Sequence, residues 1–415
     1  MTDQITIPQK RFIGLDVHKH YLIALGVDAE LNIVLPAQRV ELFRLEAWMK
    51  KTLTKQDAVA LEMTTNTWEI YDELSPCAHS VTVVHPPHVA LITRSQVMND
   101  KMAASILARL LAKGLLVSIW VPPVEVRELR ALVAQRSKMT RLATQAKNRL
   151  HAILQRHHIV PPEGNLFHAD QTEWWCALPV GKLEKINLQS DLDTLRFAET
   201  QLTRLASTMN QLAVKDERVT RLIHLPGFGA VVALTVLAAI GEIARFEDAK
   251  HLVGYAGLGA RIHDSGLTTR TGRITKAGRR DLRAALVEAA QVAANSHPHW
   301  KAELARLEPR LGRNKAIIAI ARKLLVAVWF VLSKQTTDRF AQPEMVARKL
   351  MQFAYKVGKH NRPVNQSAAQ FIRQQMDALQ IGADLSAIPW GTKKRSIPLP
   401  PSALLENKMS DVPNT

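Results

Sequence analysis

The chain opens its first predicted strand with the stretch Arg11-Phe-Ile-Gly-Leu-Asp16-Val17, an apolar run that carries one acid near its end. Two further strand-like runs, 21–27 and 32–35, follow at hairpin spacing. A buried-type strand at 58–62 and another at 81–84 then alternate with helical patterns. Three hairpin-linked strands followed by alternating strands and helices predict a mixed sheet that helices cover.

Two acids stand at the ends of these strands. Asp16 lies near the end of the first strand and Glu62 closes the fourth, a position where open α/β sheets place ligand sites. Either acid alone would be typical of a solvated strand end. Carboxylates gathered at one edge repel one another unless a cation neutralises them, and oxygen ligands favour Mg²⁺ or Mn²⁺ over zinc. The two acids in this strand order therefore predict a divalent metal site.

The composition is strongly basic. Lysines and arginines number 55 against 37 aspartates and glutamates, which gives the 415 residues a formal net charge of +18. Such an excess points to a polyanionic partner, most simply nucleic acid. The length allows two or three domains with ample core.

Cysteine usage and hydropathy bear on the compartment. Cys77 and Cys176 are the only cysteines and lie far apart, so neither a disulfide framework nor a cysteine-based zinc site is supported. The first residues carry no signal-peptide pattern, and the apolar runs 231–240 and 317–332 are too short or too interrupted to span a bilayer. We therefore expect a soluble protein of the cytoplasm, in the bacterial nucleoid.

A helical region follows the first block and begins after the prolines at 122–123. Its first helix repeats residues at the 3-4 spacing of a coiled-coil seam, namely Leu129, Leu132, Arg136, Met139, Ala143, Ala146, Leu150 and Ile153. A second helical segment returns through 188–212. An antiparallel hairpin and a dimer zipper would each bury these faces, and periodicity does not choose between them. The outer positions are basic, which suits either phosphate contact or plain solvation.

A second functional block is centred on Ser265-Gly266 in a turn-rich segment. Glycines at 266 and 272 would allow a loop to present the serine hydroxyl close to a polyanion. Basic side chains that suit phosphate oxygens follow: Arg270, Arg273, Lys276, Arg279, Arg280 and Arg283. The plainer interpretation is a polar loop before a basic amphipathic helix, because a lone Ser-Gly is a weak motif.

The turn Leu225-Pro-Gly-Phe-Gly229 precedes a run of small and apolar residues, and it predicts a tight turn that opens a helix. Such a helix start can offer N–H groups to a DNA phosphate, although a packing turn has the same pattern. A strongly apolar helix is predicted at 314–332, with further helices at 344–355 and 368–379. The tail from Ile381 is rich in proline and is predicted to be flexible.

Several of these motifs together resemble a known family. Three N-terminal segments resemble the DEDD motifs of a RuvC-like domain: Gly14-Leu-Asp16-Val-His-Lys19, Leu61-Glu62 and Asn99-Asp100-Lys-Met-Ala103-Ala104. With the 225–229 turn and Ser265-Gly266, they resemble the insertion-sequence transposases that join such a domain to a serine-bearing domain, over about residues 10–335. This family includes the Piv DNA invertases and the bridge-RNA-guided recombinases.

The resemblance implies an α/β, ribonuclease-H-like (RuvC-like) fold for residues 1–120, with metal bound by Asp16, Glu62 and Asp100. A helical coiled-coil linker would span 121–215, and a mostly α-helical serine transposase domain would span 216–335. The remaining residues, 336–415, would form a C-terminal extension beyond the family core, partly helical with a flexible tail.

The resemblance also implies an activity and its partners. Ser265 would be the nucleophile that cuts and rejoins DNA through a covalent phosphoserine link, assisted by carboxylate-bound Mg²⁺ (or Mn²⁺). The implied partners are double-stranded donor and target DNA and a non-coding bridge RNA that chooses both sites. Strand exchange needs two duplexes and several active sites, so we expect a homo-oligomer, a dimer or a tetramer, assembled through the helical linker.

One position departs from the family pattern. The family has two aspartates at i and i+3 on one helix face, whereas Asp100 is followed by Ala103, which cannot bind metal. Either this copy is impaired, or an inactivating change was introduced, or three carboxylates suffice. Two alternatives to the recombinase therefore stay open. One is a metal-dependent nuclease of the Holliday-junction type in which Ser265 is incidental, and the other is a nucleic-acid-binding protein without catalysis.

Overall fold

The structure is a computed structural model that describes residues 11–93, 99–265, 268–363 and 366–400. Of residues 92, 93, 169, 262–265 and 268–271 it describes the backbone alone. The chain divides into two units, Met1–Pro123 and Val124–Thr415.

The first unit is built on a five-stranded mixed sheet. Its strands are β1 Arg11–Val17, β2 Tyr21–Val27, β3 Ile33–Glu41, β4 Asp57–Glu62 and β5 Ser80–Val84. Their order in the sheet is β3-β2-β1-β4-β5. Strands β1 to β3 run antiparallel as two hairpins, whereas β1, β4 and β5 run parallel. The mixed sheet predicted from the strand spacing is confirmed.

Helices cover both faces of this sheet: α1 Leu45–Thr52, α2 Thr67–Leu74, α3 Pro86–Thr93 and α4 Asp100–Ala112. Side chains alternate along each strand, so each strand contributes to two apolar layers. One layer packs Ile13 with Met49 of α1 and Leu74 of α2. The other packs Ile23 with Ala104 of α4. Gly14 and Asp16 occupy the alternate positions of β1 and therefore lie on the side of the sheet that α4 covers.

The second unit begins with a long helical hairpin. It is made of α5, α6 and α7, which span Val124–Arg156, Thr172–Cys176 and Lys182–Lys215. Three ion pairs join the two long helices in opposite chain order: Lys147–Glu199, Arg149–Asp191 and Arg156–Glu184. This opposite order shows that α5 and α7 are antiparallel.

The second half of the apolar seam predicted for this region is buried inside the hairpin, whereas Leu129 and Leu132 pack against the main core of the second unit. Leu150 and Ile153 of α5 form one cluster with Leu188, Leu192 and Leu195 of α7. Of the two arrangements that periodicity left open, the structure has the antiparallel hairpin within one chain. These leucines have their partners in the same chain, so no oligomer is required to bury them. The expectation that the chain assembles through this seam assumed that they needed a partner chain.

The rest of the second unit packs around α13, Arg313–Ser333. The elements before it are α8 Glu217–Ile223, α9 Ala230–Ile240, α10 Ala249–Tyr255, β6 Ala260–Ser265, β7 Thr268–Ile274, α11 Arg280–Ser296 and α12 Pro298–Leu311. Among the described residues, α13 is the one helix long and apolar enough to cross a membrane, and half of its most apolar window is buried. Its Ile320, Leu324 and Val328 are fully buried in the main core, as in a core helix.

The C-terminal extension belongs to the same core. It forms α14 Pro343–Val357, α15 Ala368–Ala378 and a hairpin of β8 Ala387–Trp390 and β9 Lys393–Ser396. Sequence analysis expects a flexible tail from Ile381, whereas the structure buries Ile388 and Ile397 in the main core. Arg373 of α15 also donates to the carbonyls of Ile381 and Gly382. Ile388 and Ile397, which stand next to Pro389 and Pro398, anchor the segment in the core. Residues 401–415 lie outside the described part of the chain.

Two buried histidines attach the start of this extension. His224 donates from Nδ1 to the Arg221 carbonyl and accepts the backbone N–H of Asp338 at Nε2, 2.9 Å away. His297 donates from Nε2 to the Phe340 carbonyl at 3.0 Å. The two bonds of His224 require the neutral imidazole. Burial lowers the pKa of His224 to about 4, although the bond to Arg221 acts in the opposite direction.

We expect acid to weaken this attachment. Between pH 6.5 and about 4, His224 is protonated in the unfolded chain and neutral in the folded chain. The free energy of unfolding therefore falls as the pH drops. The loss should reach about 3 kcal/mol, because each pKa unit is worth about 1.4 kcal/mol. Urea unfolding measures this loss between about pH 7.5 and about pH 4.5. The native chain is compared with the variant His224→Asn, whose side chain stays neutral over this range. Parallel pH profiles of the two proteins would contradict the prediction.

Candidate metal centre and serine hairpin

Three carboxylates converge at one edge of the first unit's sheet. Asp16 is the penultimate residue of β1 and Glu62 is the last residue of β4. These two strands are parallel neighbours in the sheet, so the two acids stand side by side at the carboxyl ends of their strands. Asp100 comes from a distant part of the chain, as the first residue of α4.

His18 joins two of these acids. Its Nε2 lies 3.2 Å from Oδ2 of Asp16 and 3.3 Å from Oδ2 of Asp100. The ligand atoms of Asp16, His18 and Asp100 all lie within 4.8 Å of one another, which lets a single cation reach all three. Tyr21 stacks on the His18 ring and donates its hydroxyl to Oδ2 of Asp100 at 3.0 Å.

No role for His18 or Tyr21 was predicted from the sequence. The signal for His18 was present, because it stands two residues after the strand-end acid Asp16. Tyr21 gave no comparable signal, since its contact with Asp100 joins residues 79 positions apart. The three predicted ligands do not all enter one tight cluster either: Asp16 and Asp100 do, whereas Glu62 is not part of it.

Burial and neighbouring charge raise the pKa of two of these acids. Burial raises the pKa of Glu62, and the charge of Asp16 raises it further. Burial is again the largest cause of the raised pKa of Asp16; the charge of Asp100 adds to it, and His18 acts in the opposite direction. The unit therefore gathers negative charge that its own groups neutralise only in part, which favours a bound cation.

The donor set fits a divalent cation. Carboxylates and one imidazole suit Mn²⁺, and Mg²⁺ can bind one or two of the carboxylates while it keeps several water ligands. The acids must be deprotonated to bind metal, and the pKa values of Asp16 and Glu62 are raised. Metal affinity should therefore begin to fall at a higher pH than it would for ordinary carboxylates.

Gly14 sets the distance between α4 and β1. A Cβ atom at this position would lie 2.0 Å from the Ala104 carbonyl oxygen and 2.6 Å from the Ala108 nitrogen. Both are backbone atoms of α4, so the helix rests directly on the strand. This close approach brings the first turn of α4, and with it Asp100, to the end of β1.

The second unit presents Ser265 at the tip of a β-hairpin. β6 and β7 are antiparallel, and Ser265 pairs with Thr268 as the last pair before the connection. Sequence analysis expected a loop, whereas the serine backbone is the end of a strand. The side chains of Ser265 and Arg270, and residue Gly266, lie outside the described part of the chain.

The basic residues after the serine fall into two groups. Arg279 forms an ion pair with Asp281, and Arg283 donates to the Ala256 carbonyl at 2.9 Å, so both hold the base of the hairpin. The close packing there needs glycine, because a Cβ at Gly278 would lie 2.2 Å from the Tyr255 carbonyl oxygen.

The second group is exposed to solvent and consists of Arg273, Lys276 and Arg280. Lys276 and Arg280 line a groove of about 650 Å³ along α11. Of the five predicted phosphate-binding side chains that the structure describes, these three remain available to a ligand. The other two are engaged within the protein.

Family comparisons match segments in both units. Residues 13–159 match a DEDD-type transposase domain of IS110 elements, and residues 219–305 match the Transposase IS116/IS110/IS902 family. The two matches together cover more than half of the chain. The chain belongs to the IS110/IS116 transposase family. A DEDD-type transposase domain has a ribonuclease-H-like fold and uses a divalent metal, which agrees with the mixed sheet and with the acids at its edge.

The transposase is similar to bacterial proteins along most of its length. It is 24% identical over 337 residues to the transposase for insertion sequence element IS1111A of Coxiella burnetii, across 79% of this chain and 91% of that protein. It is 26% identical over 339 residues to the pilin gene-inverting protein of Moraxella bovis, across 78% and 96%. A probable family 20 transposase of Pseudomonas aeruginosa is 24% identical, across 79% and 98%. Membership of this family implies an enzyme that acts on DNA.

Ala103 stands one turn after Asp100 in the transposase. It is half-buried on α4, and its backbone N–H is bonded to the Asn99 carbonyl at 2.9 Å. The helix turn is therefore regular, and the departure from the DEDD pattern is confined to the side chain. Its methyl group offers no metal ligand at the position where the resemblance predicts a fourth acid.

Gly14→Ala is expected to reduce Mn²⁺ affinity about tenfold or more. The added methyl group displaces the α4 backbone, so Asp100 moves away from His18 and Asp16, and a misplaced ligand shell costs affinity of this order. Isothermal titration of the folded variant with Mn²⁺ measures the change.

The matched control for this experiment is Gly26→Ala in β2. Its added Cβ would meet side-chain atoms of Leu35 at 2.9 Å and Ile13 at 3.2 Å rather than α4. The control should lose stability and keep its metal affinity. Equal Mn²⁺ affinities for the native chain and the Gly14 variant would show that α4 does not set the metal geometry.

Proposed function

We propose that the transposase cuts and rejoins DNA with Ser265 as its nucleophile, while Asp16, Glu62 and Asp100 hold a Mg²⁺ or Mn²⁺ ion. The observation that carries the proposal is the convergence of Asp16, His18 and Asp100 within 4.8 Å. The position of Ser265 at a hairpin tip adds support, since a strand end before a short connection can reach a polymer without displacing the core.

The proposed reaction conserves the number of phosphodiester bonds. The Ser265 oxygen attacks the scissile phosphorus, the bond from phosphorus to the leaving sugar oxygen breaks, and that oxygen takes up a proton. A phosphoserine link to one DNA end results. A sugar hydroxyl of another strand then attacks the same phosphorus and releases the serine, so strands are rejoined without ATP.

The residues of the chain have separate tasks in this scheme. Asp16 and Asp100 provide carboxylate ligands, and Tyr21 holds the Asp100 carboxylate through its hydroxyl. A bound divalent cation supplies charge that polarises the phosphate and stabilises the departing oxygen. Arg273 and Lys276 would contact non-bridging oxygens as negative charge builds on them.

The partners follow from the same proposal. Donor and target DNA are double-stranded, and a non-coding guide RNA selects both, which the net charge of +18 supports because both partners are polyanions. The exchange of two duplexes calls for a dimer or a tetramer. Such an assembly acts in the cytoplasm, at the nucleoid, where its DNA substrates are.

Ala103 favours one rival function, a nucleic-acid-binding protein without catalysis. The rival nuclease of the Holliday-junction type keeps the metal and makes Ser265 incidental. Two observations, a covalent protein–DNA adduct and DNA cleavage, together separate all three functions. The recombinase forms it through serine, the nuclease cleaves without it, and the binding protein does neither.

Ser265→Ala should abolish the covalent adduct and strand exchange while DNA affinity stays within about twofold, because the change removes one hydroxyl from the nucleophile position. The adduct is measured as a shift of labelled DNA on a denaturing gel after incubation with Mn²⁺. Ser75→Ala, which changes an exposed serine of the first unit, is the control and should behave like the native chain. Persistent adduct in the Ser265 variant would overturn the assignment.

Ala103→Asp should raise metal-dependent cleavage about a hundredfold, because a fourth acid on the same helix face positions the cation and a misplaced reacting group costs about that much in rate. Affinity for DNA at low salt should change little. Single-turnover cleavage across a Mg²⁺ titration tests this, with Ala103→Asn as a control of similar size and no charge. Equal rates for the native chain and the aspartate variant would show that the fourth carboxylate is dispensable here.

A further inference from the structure

The second unit contains a cleft of about 970 Å³ whose described walls carry no acidic side chain. One wall is the turn 225–229 with the start of α9, a second is α7, and a third is α14. Both family matches end by residue 305, so α14 lies beyond them. The cations that line the cleft are Arg136, Arg348, Lys349 and Lys356, and two histidines, His224 and His297, line it as well.

The wall contributed by α14 is held in place by hydrogen bonds to the turn. The Lys349 ammonium donates to the carbonyls of Ile223 and Leu225, on either side of His224. Leu350 and Ala354 of α14 do not line the cleft and are buried in the main core. The cleft is therefore a built feature between fixed walls.

Several donors in the cleft have no partner inside the protein. Arg348 and Lys356 are exposed and form no ion pair among the described residues. Arg136 has its Nε buried without a hydrogen-bond partner.

The start of α9 adds backbone donors to this set. The first N–H groups of a helix have no intrahelical acceptor, and here they begin after Gly229. No atom lies within 4 Å of the position that a Gly229 side chain would take, so the approach to these N–H groups is open. Phosphate groups in proteins are commonly bound by backbone N–H groups at a helix start together with unpaired cationic side chains.

We infer that this cleft binds the phosphodiester backbone of DNA, and that α14 provides the wall that faces the 225–229 turn. The inference rests on the proposed function only for the choice of DNA as the polymer. Phosphate oxygens would accept from the N–H groups at the start of α9 on one side and from Arg348 and Lys356 on the other. Such contacts position a duplex without reading its sequence.

The test compares two double variants with the same change in charge. Arg348→Gln with Lys356→Gln removes both cations from the cleft and leaves Lys349 in place. Lys301→Gln with Arg310→Gln removes two exposed cations of α12 that do not line it. Binding of a labelled duplex is measured by fluorescence anisotropy over a range of salt concentrations.

We expect the cleft variant to bind about tenfold or more weakly near 100 mM salt, with a log–log salt slope shallower by about 1 to 2, because each lost phosphate contact removes about 0.9 from the slope. The α12 variant should lose less than about threefold and keep its slope. Equal losses in the two variants would overturn the inference, since binding would then follow overall charge.

A third variant guards against an effect of α14 on folding. Gly229→Asp adds a negative charge at the mouth of the cleft at a position where aspartate is a favourable helix cap. It should remain folded and also weaken binding about tenfold; undiminished affinity would overturn the inference.

Two further measurements identify the ligand. Loss of affinity for an RNA duplex with none for DNA would contradict DNA as the ligand, and so would displacement of the duplex by millimolar inorganic phosphate. The binding assay requires no cleavage. Its result is therefore the same if Ser265 proves incidental, and the two proposals can fail independently.

Discussion

The first unit depends on the contact between β1 and α4 at Gly14. A hydrogen atom stands where any other residue would place a Cβ 2.0 Å from the backbone of α4, so strand and helix lie against each other without a side chain between them. The contact carries the N-terminal turn of α4 to the carboxyl end of β1. Asp100 thereby reaches His18 and Asp16, and Tyr21 holds its carboxylate. The absence of one side chain brings distant segments together at the candidate metal centre.

The second unit uses its cations for two different purposes. Some stabilise the fold: Arg279 and Arg283 hold the base of the serine hairpin, and Lys349 holds α14 against the 225–229 turn. Others are exposed and free of ion pairs among the described residues, at the hairpin base and in the cleft beside α14. The net charge of +18 therefore overstates what a polyanion meets. The hairpin base and the cleft are two of the surfaces on which such cations remain exposed.

Much of the fold could be predicted because its signals are local. Short apolar runs marked the strands of the mixed sheet, and the 3-4 spacing marked the long helices. The C-terminal hairpin was not predicted, because the two residues of this segment that enter the core fully, Ile388 and Ile397, are isolated among prolines and polar residues. Periodicity also does not distinguish a partner helix in the same chain from one in another chain. The ion pairs between α5 and α7 decided that question.

The sequence by itself determined which chemical groups are available: strand-end acids at Asp16 and Glu62, a helix-start acid at Asp100, a serine before a basic run, and an alanine at 103, where the resemblance predicts a fourth acid. Only the tertiary structure decided how these groups are used. It joined His18 and Tyr21 to the candidate metal centre, placed Glu62 outside the tight cluster, and engaged two of the predicted phosphate ligands in bonds within the protein. The physical reason is that a polar side chain binds whatever acceptor or charge folds beside it, and that neighbour comes from a distant part of the chain.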